Sequence, residues 1–326
     1  MKRRQILFTG KSQLEFVTND LPEPGPDQVL VRTEVSLMST GTENICFNRL
    51  FLPGTHFDNW VKYPFEPGYC TVGIVAQVGD NVTNVKVGDR VGHRQGHASH
   101  HLIGKLDCYP VPAGLAPDLA VWFPLAHITH NGTRNVGFKL GDRVAVIGAG
   151  PIGQMTLRWA IACGAEQTLV MDSMKLRLDI AKKGGATYTL GVSALEAKAL
   201  VDELLGGAPD VVVDATGHAK VFEAALGMVK NQGRVLLIGD TGSPSEQRLT
   251  PDLVCRGLSI HGAHDSTRFP DRDPQGIARL FFRLLASGRF SLEGMNTHSF
   301  APEQAEEAYR VANESRETTM GILFHW

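Results

Sequence analysis

The stretch Val144-Ala-Val-Ile-Gly-Ala-Gly-Pro-Ile-Gly153 limits what this chain can fold into more than any other. An apolar run of strand length breaks into Gly148-x-Gly150-x-x-Gly153 and continues as a helix expected to begin near Pro151 and Ile152. The first glycine permits a tight turn, the second lets the backbone approach a pyrophosphate, and the third lets helix and strand pack closely. The helix start then offers unpaired N–H groups and a positive dipole end to phosphate. The next apolar run, 168–171, ends on Asp172, about twenty residues beyond the last glycine, where a carboxylate accepts hydrogen bonds from an adenosine ribose. Strand, glycines, helix and acid in register predict a dinucleotide-binding unit. Asp172 would repel a 2′-phosphate and Ser173 brings no positive charge, so NAD is expected rather than NADP. Arg177 is the nearest helical cation that would counter this or lie beside the adenine.

A chain of 326 residues is long enough for two domains, since single cores stop growing before that length. It is 43% hydrophobic and 20% charged with net charge −2, and no block of like charge marks nucleic acid or an anionic membrane as a partner. The run Ile6-Leu-Phe8 behind the basic start is too short for a signal-peptide core, and no stretch reaches transmembrane length. The five cysteines are scattered, without a C-x-x-C pair, which fits reduced thiols and a cytoplasmic location. Up to about residue 120, short apolar runs alternate with Gly, Pro and Asp, as in a β-rich barrel. From there the rhythm becomes strand–helix–strand, with strands expected at 143–147, 168–171, 186–190, 210–214, 234–238 and 258–261. That is the pattern of an α/β, doubly wound parallel sheet. Helices at 274–287 and 302–313 and a strand at 321–324 follow.

These pieces resemble the medium-chain dehydrogenase/reductase family, which includes the zinc-type alcohol dehydrogenases. Pro67-Gly-Tyr-Cys-Thr-Val-Gly73-Ile-Val-Ala-Gln-Val-Gly79 follows its G-H-E-x-x-G-x-V-x-x-V-G, and Val87–Val91 and Leu140–Val144 follow its two G-D-x-V turns. Asp214-Ala-Thr216-Gly217 and Gly233-Arg-Val-Leu-Leu-Ile-Gly239 follow its fourth and fifth Rossmann strands, which adds Thr216 and Gly239 to the cofactor contacts. The resemblance implies a GroES-like catalytic domain over 1–122, completed by 266–326, packed against a Rossmann domain over 123–265, with the active site between them. It also implies a homodimer, joined along 258–263, the apolar run that ends the sheet. Met38-Ser-Thr-Gly-Thr-Glu43, Pro67-Gly-Tyr69 and the 320–326 ending are most similar to a subgroup, the bacteriochlorophyllide a hydroxyethyl dehydrogenases and their like.

The departures matter as much. In zinc-dependent members a cysteine, the His-Glu of G-H-E and a later ligand hold a catalytic zinc. Here Ser39 or Thr40 stands for the cysteine, Tyr69-Cys70 for His-Glu, and His127 at the later position; the four-cysteine structural lobe is missing. Serine and tyrosine are poor zinc ligands, so a metal-free member is expected. Hydride transfer without zinc needs donors aimed at the developing alkoxide. The candidates are Ser39, Thr42, Tyr69 and His127, with Glu43 able to orient a neighbour or pass on a proton; each also has an ordinary packing or turn-forming role open to it. His127 has the ordinary pKa best matched to proton transfer near neutrality. His56 and Trp60, with Asn59, would suit a polar ring such as a sugar or cyclitol or else belong to a packed surface loop, and Arg268 and Arg272 would bind an anionic group or only water. The histidines at 93, 97, 100 and 101 are expected mostly at the surface or cleft, not as a metal site.

Three functions remain open on these residues. The first is an NAD-dependent oxidoreductase on a secondary alcohol or ketone. The second is a zinc-free enone or quinone reductase using NAD(P)H, which Asp172 disfavours. The third is a cofactor-binding protein without catalysis.

Overall fold

The computed structural model describes residues 1–326. Continuous branched apolar runs such as Val144–Ile147 and Val211–Val213 are buried on both faces, as an interior parallel sheet requires. They form a six-stranded sheet in the order Tyr188–Leu190, Gln167–Met171, Arg143–Ile147, Val211–Asp214, Arg234–Leu237, Ser259–Gly262, every neighbouring pair parallel. The strand order reverses between Arg143–Ile147 and Val211–Asp214, and ligands bind at such a switch point beyond the strand ends. The expected strands agree within two residues, the scatter usual at element ends. Ser259–Gly262 forms one free edge of this sheet.

The second sheet is barrel-like and built around the eleven-residue strand Gln28–Met38. Irregular register against Thr71–Val78 bends this strand near Thr33, where Gly73 meets it so closely that a Cβ would lie 2.3 Å from the Arg32 carbonyl oxygen. The bent strand also pairs with His100–Gly104 and, at its far end, with Gly321–His325. The C-terminal segment is therefore part of this sheet, with Asn296–Phe300 parallel to it as the edge strand. The chain's first two strands, Lys2–Gly10 and Gln13–Asp20, make a separate hairpin over the barrel.

One apolar cluster joins the two halves. It runs from Val35, Leu37 and Val72 through Trp122 and Phe123 to Trp159, Phe281 and Phe282. The helices Phe123–Val136 and Pro274–Ala286 carry much of it; the second starts where Asp273 accepts from the Gly276 amide and Pro274 takes the first helical position. A dry core on this side fixes how the domains meet and leaves the polar cleft on the other. No helix is long and apolar enough to cross a membrane, and all five cysteines are free thiols.

Candidate active site

Two adjoining cavities lie between the domains, sharing Thr42 and Ile152. The first, about 390 Å³, is lined on the Rossmann side by Gly148, Gly150, Pro151, Asp172, Arg177 and Thr216. Its floor is bare backbone: Gly148 has φ +90°, and a Cβ there would lie 2.7 Å from the Thr216 methyl. At Gly153, outside the lining, a Cβ would lie 1.8 Å from the Gly148 carbonyl oxygen, so this glycine sets the approach of helix Pro151–Ala162 to its strand. Gly239 also stands behind the lining, against the Gly217 amide. Asp172 accepts from the Ala149 and Met174 amides at 2.8 and 2.9 Å, and Arg177 Nη1 lies 3.5 Å from it. The groove's shape fits a dinucleotide, pyrophosphate at the helix start. From the opposite wall the C-terminal segment adds Arg316 and Thr319, which sequence reasoning missed because neither belongs to a local motif.

The second cavity, about 420 Å³, has Tyr69 and Thr42 at the shared end. Phe57, Trp60, Ile128, Ile152 and Ile238 make an apolar wall, and His56, Asp240 and His264 a polar rim. Helix His56–Trp60, started by the Thr55 hydroxyl accepting from the Asp58 amide, presents both expected substrate residues here. Tyr69 and Ser39 share a 2.6 Å hydrogen bond between hydroxyls. Burial pushes the Tyr69 phenol up despite the Ser39 and Thr42 hydroxyls beside it. Asn59, Arg268 and Arg272 do not line the cavity; Arg268 donates to the Asp265 and Thr267 carbonyls instead.

Residues 25–116 match the model of the alcohol dehydrogenase GroES-like domain, and residues 151–280 that of zinc-binding dehydrogenases. The chain belongs to the zinc-type alcohol dehydrogenase family. It is similar to L-threonine 3-dehydrogenase of Bacillus licheniformis, 28% identical with 94% of each chain covered, and to sorbitol dehydrogenase of Ovis aries, 27% identical with 95% of this chain and 93% of that one covered. It shares its fold with an alcohol dehydrogenase of E. coli CFT073 in complex with NADH (TM-score 0.85, 20% identity, 100% and 99% covered). The same holds for a dehydrogenase of Sinorhizobium meliloti 1021 bound to NADP (TM-score 0.84, 21% identity, 100% of each covered).

This alcohol-type dehydrogenase departs from sequence expectation at His127. Its Nδ1 lies 2.8 Å from Arg94 Nη2 and so accepts from the guanidinium; Arg94 in turn pairs with Asp265, whose Oδ1 is 3.4 Å from the same nitrogen. Burial lowers the His127 pKa, Asp265 opposes and Arg94 adds to the fall, so the ring is neutral at pH 7. Burial alone would raise Asp265, but the Arg94 guanidinium paired with it prevails and keeps its carboxyl below the ordinary range. His127 lines neither cavity, and its pKa is moved away from neutrality. The expectation that it matches proton transfer gives way to a packed role beside Arg94. Cys70 is fully buried, and burial pushes its thiol well above the usual range.

Glu43 is also withdrawn from both cavities, at 2% exposure. One carboxylate oxygen accepts from the Ser39 amide at 2.7 Å; the other takes the Tyr309 hydroxyl at 2.5 Å and His97 Nε2 at 3.0 Å. Trp326 Nε1 donates to Ser36 Oγ, which meets His97 Nδ1 at 2.8 Å. The Ser36 proton then goes to Nδ1, and Nε2–H donates to Glu43. His93, His97 and His101 are buried and line neither cavity, correcting the expectation that these histidines lie mostly at the surface or cleft; only His100 is part-exposed. Strands Arg90–His93 and His100–Gly104 turn His93 and His101 inward, and burial lowers His93 to about 3.

Proposed function

We propose that this dehydrogenase transfers a hydride between NAD and a secondary alcohol or its ketone, carried on a polar ring such as a sugar or cyclitol derivative, with no zinc at the reacting oxygen. The observation that carries the reading is the junction of the two cavities, where Tyr69 of the second cavity shares a hydrogen bond between hydroxyls with Ser39 of the dinucleotide groove. Bound NAD supplies the hydride acceptor. In the reducing direction Tyr69 would donate to the carbonyl oxygen and give it the proton as it gains alkoxide character, with the Ser39 hydroxyl returning a proton to the phenol from behind; oxidation of the alcohol would run the same proton path in reverse. Ile128, Ile152 and Ile238 exclude water from this end, while Trp60 gives a flat face for a ring and His56 a polar partner. The residues at the zinc positions do not fit the metal: two neutral hydroxyls, a thiol kept protonated, and an imidazole that faces a guanidinium. Likeness to the bacteriochlorophyllide a hydroxyethyl dehydrogenases at 38–43, 67–69 and 320–326 supports the same chemistry. It says nothing of a chlorin substrate.

A screen of sugars and cyclitols for NADH formation tests the activity, and failure to turn over any alcohol or ketone while holding NAD would favour a non-catalytic binding protein. Treating the enzyme with a chelator is expected to leave kcat at saturating substrate unchanged; a loss of kcat that zinc restores in the parent but not in His127→Ala would overturn the zinc-free reading. NADH is expected to bind tighter than NADPH by about tenfold or more, the weight of roughly 1–2 kcal/mol of like-charge repulsion between Asp172 and a 2′-phosphate. Arg177 beside Asp172 works against this, so titration of both cofactors decides it; tighter NADPH would refute NAD preference and favour the reductase reading.

We also propose a homodimer through the free edge Ser259–Gly262, since an unpaired strand is a template for its own copy and two-fold pairing is the commonest closed assembly. Sedimentation at micromolar concentration should show a dimer; a monomer would remove the proposal.

A further inference from the structure

The rim of the substrate cavity brings together three side chains that no local motif connects. His56 comes from the barrel side, Asp240 from the loop after strand Arg234–Leu237, and His264 from the segment after Ser259–Gly262. One nitrogen from each histidine and one carboxylate oxygen all lie within 4.8 Å of one another. His56 Nε2 is 2.9 Å from Asp240 Oδ2, and Asp240 has no other ion-pair partner. The His264 ring is held through Nδ1, which meets Ser266 Oγ at 2.9 Å and accepts from the Ser266 amide at 3.2 Å. Its Nε2 makes no hydrogen bond; ligation there moves the ring proton to Nδ1, which then donates to Ser266 Oγ in place of accepting from the amide.

The backbone holds the three carriers in place. Leu52 N donates to Gly242 O at 2.8 Å, and a Cβ on Gly242 would fall 1.9 Å from the Leu50 carbonyl oxygen. The loop bearing Asp240 thus sits directly on the segment leading to His56. Asn131 donates to the His264 and Thr267 carbonyls at 3.3 and 3.2 Å, tying down the third carrier.

We propose that His56, Asp240 and His264 form a divalent-cation site, of the zinc and cobalt class, that clasps the two domains across the mouth of the substrate cavity. Two neutral imidazoles and one carboxylate are a donor set for such ions, with a fourth position open. Ligand atoms around a tetrahedral ion stand about 3.4 Å apart, so the present spread closes by small side-chain rotations. His56 and Asp240 are about half exposed and free to make them. The open position faces the cavity and takes water or a substrate hydroxyl. Its binding of metal is independent of the hydride-transfer reading; only its effect on substrate capture rests on that reading. It is also distinct from the zinc positions at Ser39, Tyr69 and His127.

Cobalt(II) is the probe, titrated into chelator-treated enzyme and followed by calorimetry and by the visible absorption of the bound ion. One equivalent should bind. His56→Ala and His264→Ala should each weaken it by about 100-fold or more, since even outer partners of metal ligands are worth 10–100-fold. His127→Ala should bind as the parent does. No binding by the parent, or unchanged binding in both rim variants, overturns the proposal. Binding kept in the rim variants but lost in His127→Ala overturns it and the zinc-free reading together. Loss of turnover in Tyr69→Phe has no bearing on this titration, so the two readings fail separately.

Discussion

Tyr69→Phe is expected to lower kcat by about 10²–10³ with little change in KM, the usual cost of removing one donor from a developing oxyanion. The change deletes only the hydroxyl at the junction of the two cavities, and the ring still packs against the core cluster beside it. Because burial raises the phenol above its ordinary value of 10.0, Tyr69 keeps its proton through neutrality, and the rate of ketone reduction should not fall with pH there on its account. Steady-state kinetics in both directions give the answer. Near-parent kcat in the variant would hand the donor's role to Thr42 or Ser39 and return Tyr69 to packing. His127→Ala, by contrast, should cost little kcat, since that ring addresses Arg94 rather than the cavity.

Glu43→Ala is expected to destabilise the fold by about 3–5 kcal/mol, out of a total of roughly 5–15 for a native protein. It strands the Ser39 amide, the Tyr309 hydroxyl and His97 Nε2 without an acceptor in a site closed to water. Burial, with Glu43 next to it, pushes the Tyr309 phenol far up, so that hydroxyl cannot relieve the loss by ionising. Glu43→Gln keeps one acceptor oxygen and should fall between the parent and the alanine variant. Chemical denaturation measures all three; a loss under about 1 kcal/mol for Glu43→Ala would mean that the network contributes little.

The dinucleotide groove was legible because its signals are local. Gly148, Gly150, Gly153 and Asp172 lie within one strand–helix–strand unit, where backbone geometry dictates residue type. The barrel strands were legible as patterns of turn and apolar residue, though not the pairing of Gly321–His325 with Gln28–Met38, which only resemblance to a family implied. The site's polar side chains were not. Family position led to His127, but Arg94 and Asp265, which decide its state, reach it from 33 and 138 residues away in sequence. Glu43 and His97 are separated by 54 residues, and His56 and Asp240 by 184. No periodicity reports such pairs; they exist only once the two domains are docked.

The strand Gly321–His325 is paired with one made some three hundred residues earlier in synthesis, and the whole dinucleotide half lies between them. During translation the middle of the chain can close its sheet from contiguous segments while the barrel waits with Gln28–Met38 lacking a neighbour along one end. Ser36, which receives the Trp326 indole, and the groove wall that needs Arg316 and Thr319 wait with it. The cofactor groove is thus finished by a segment made only after the whole dinucleotide half, and a nascent chain holds half a binding site until that segment emerges.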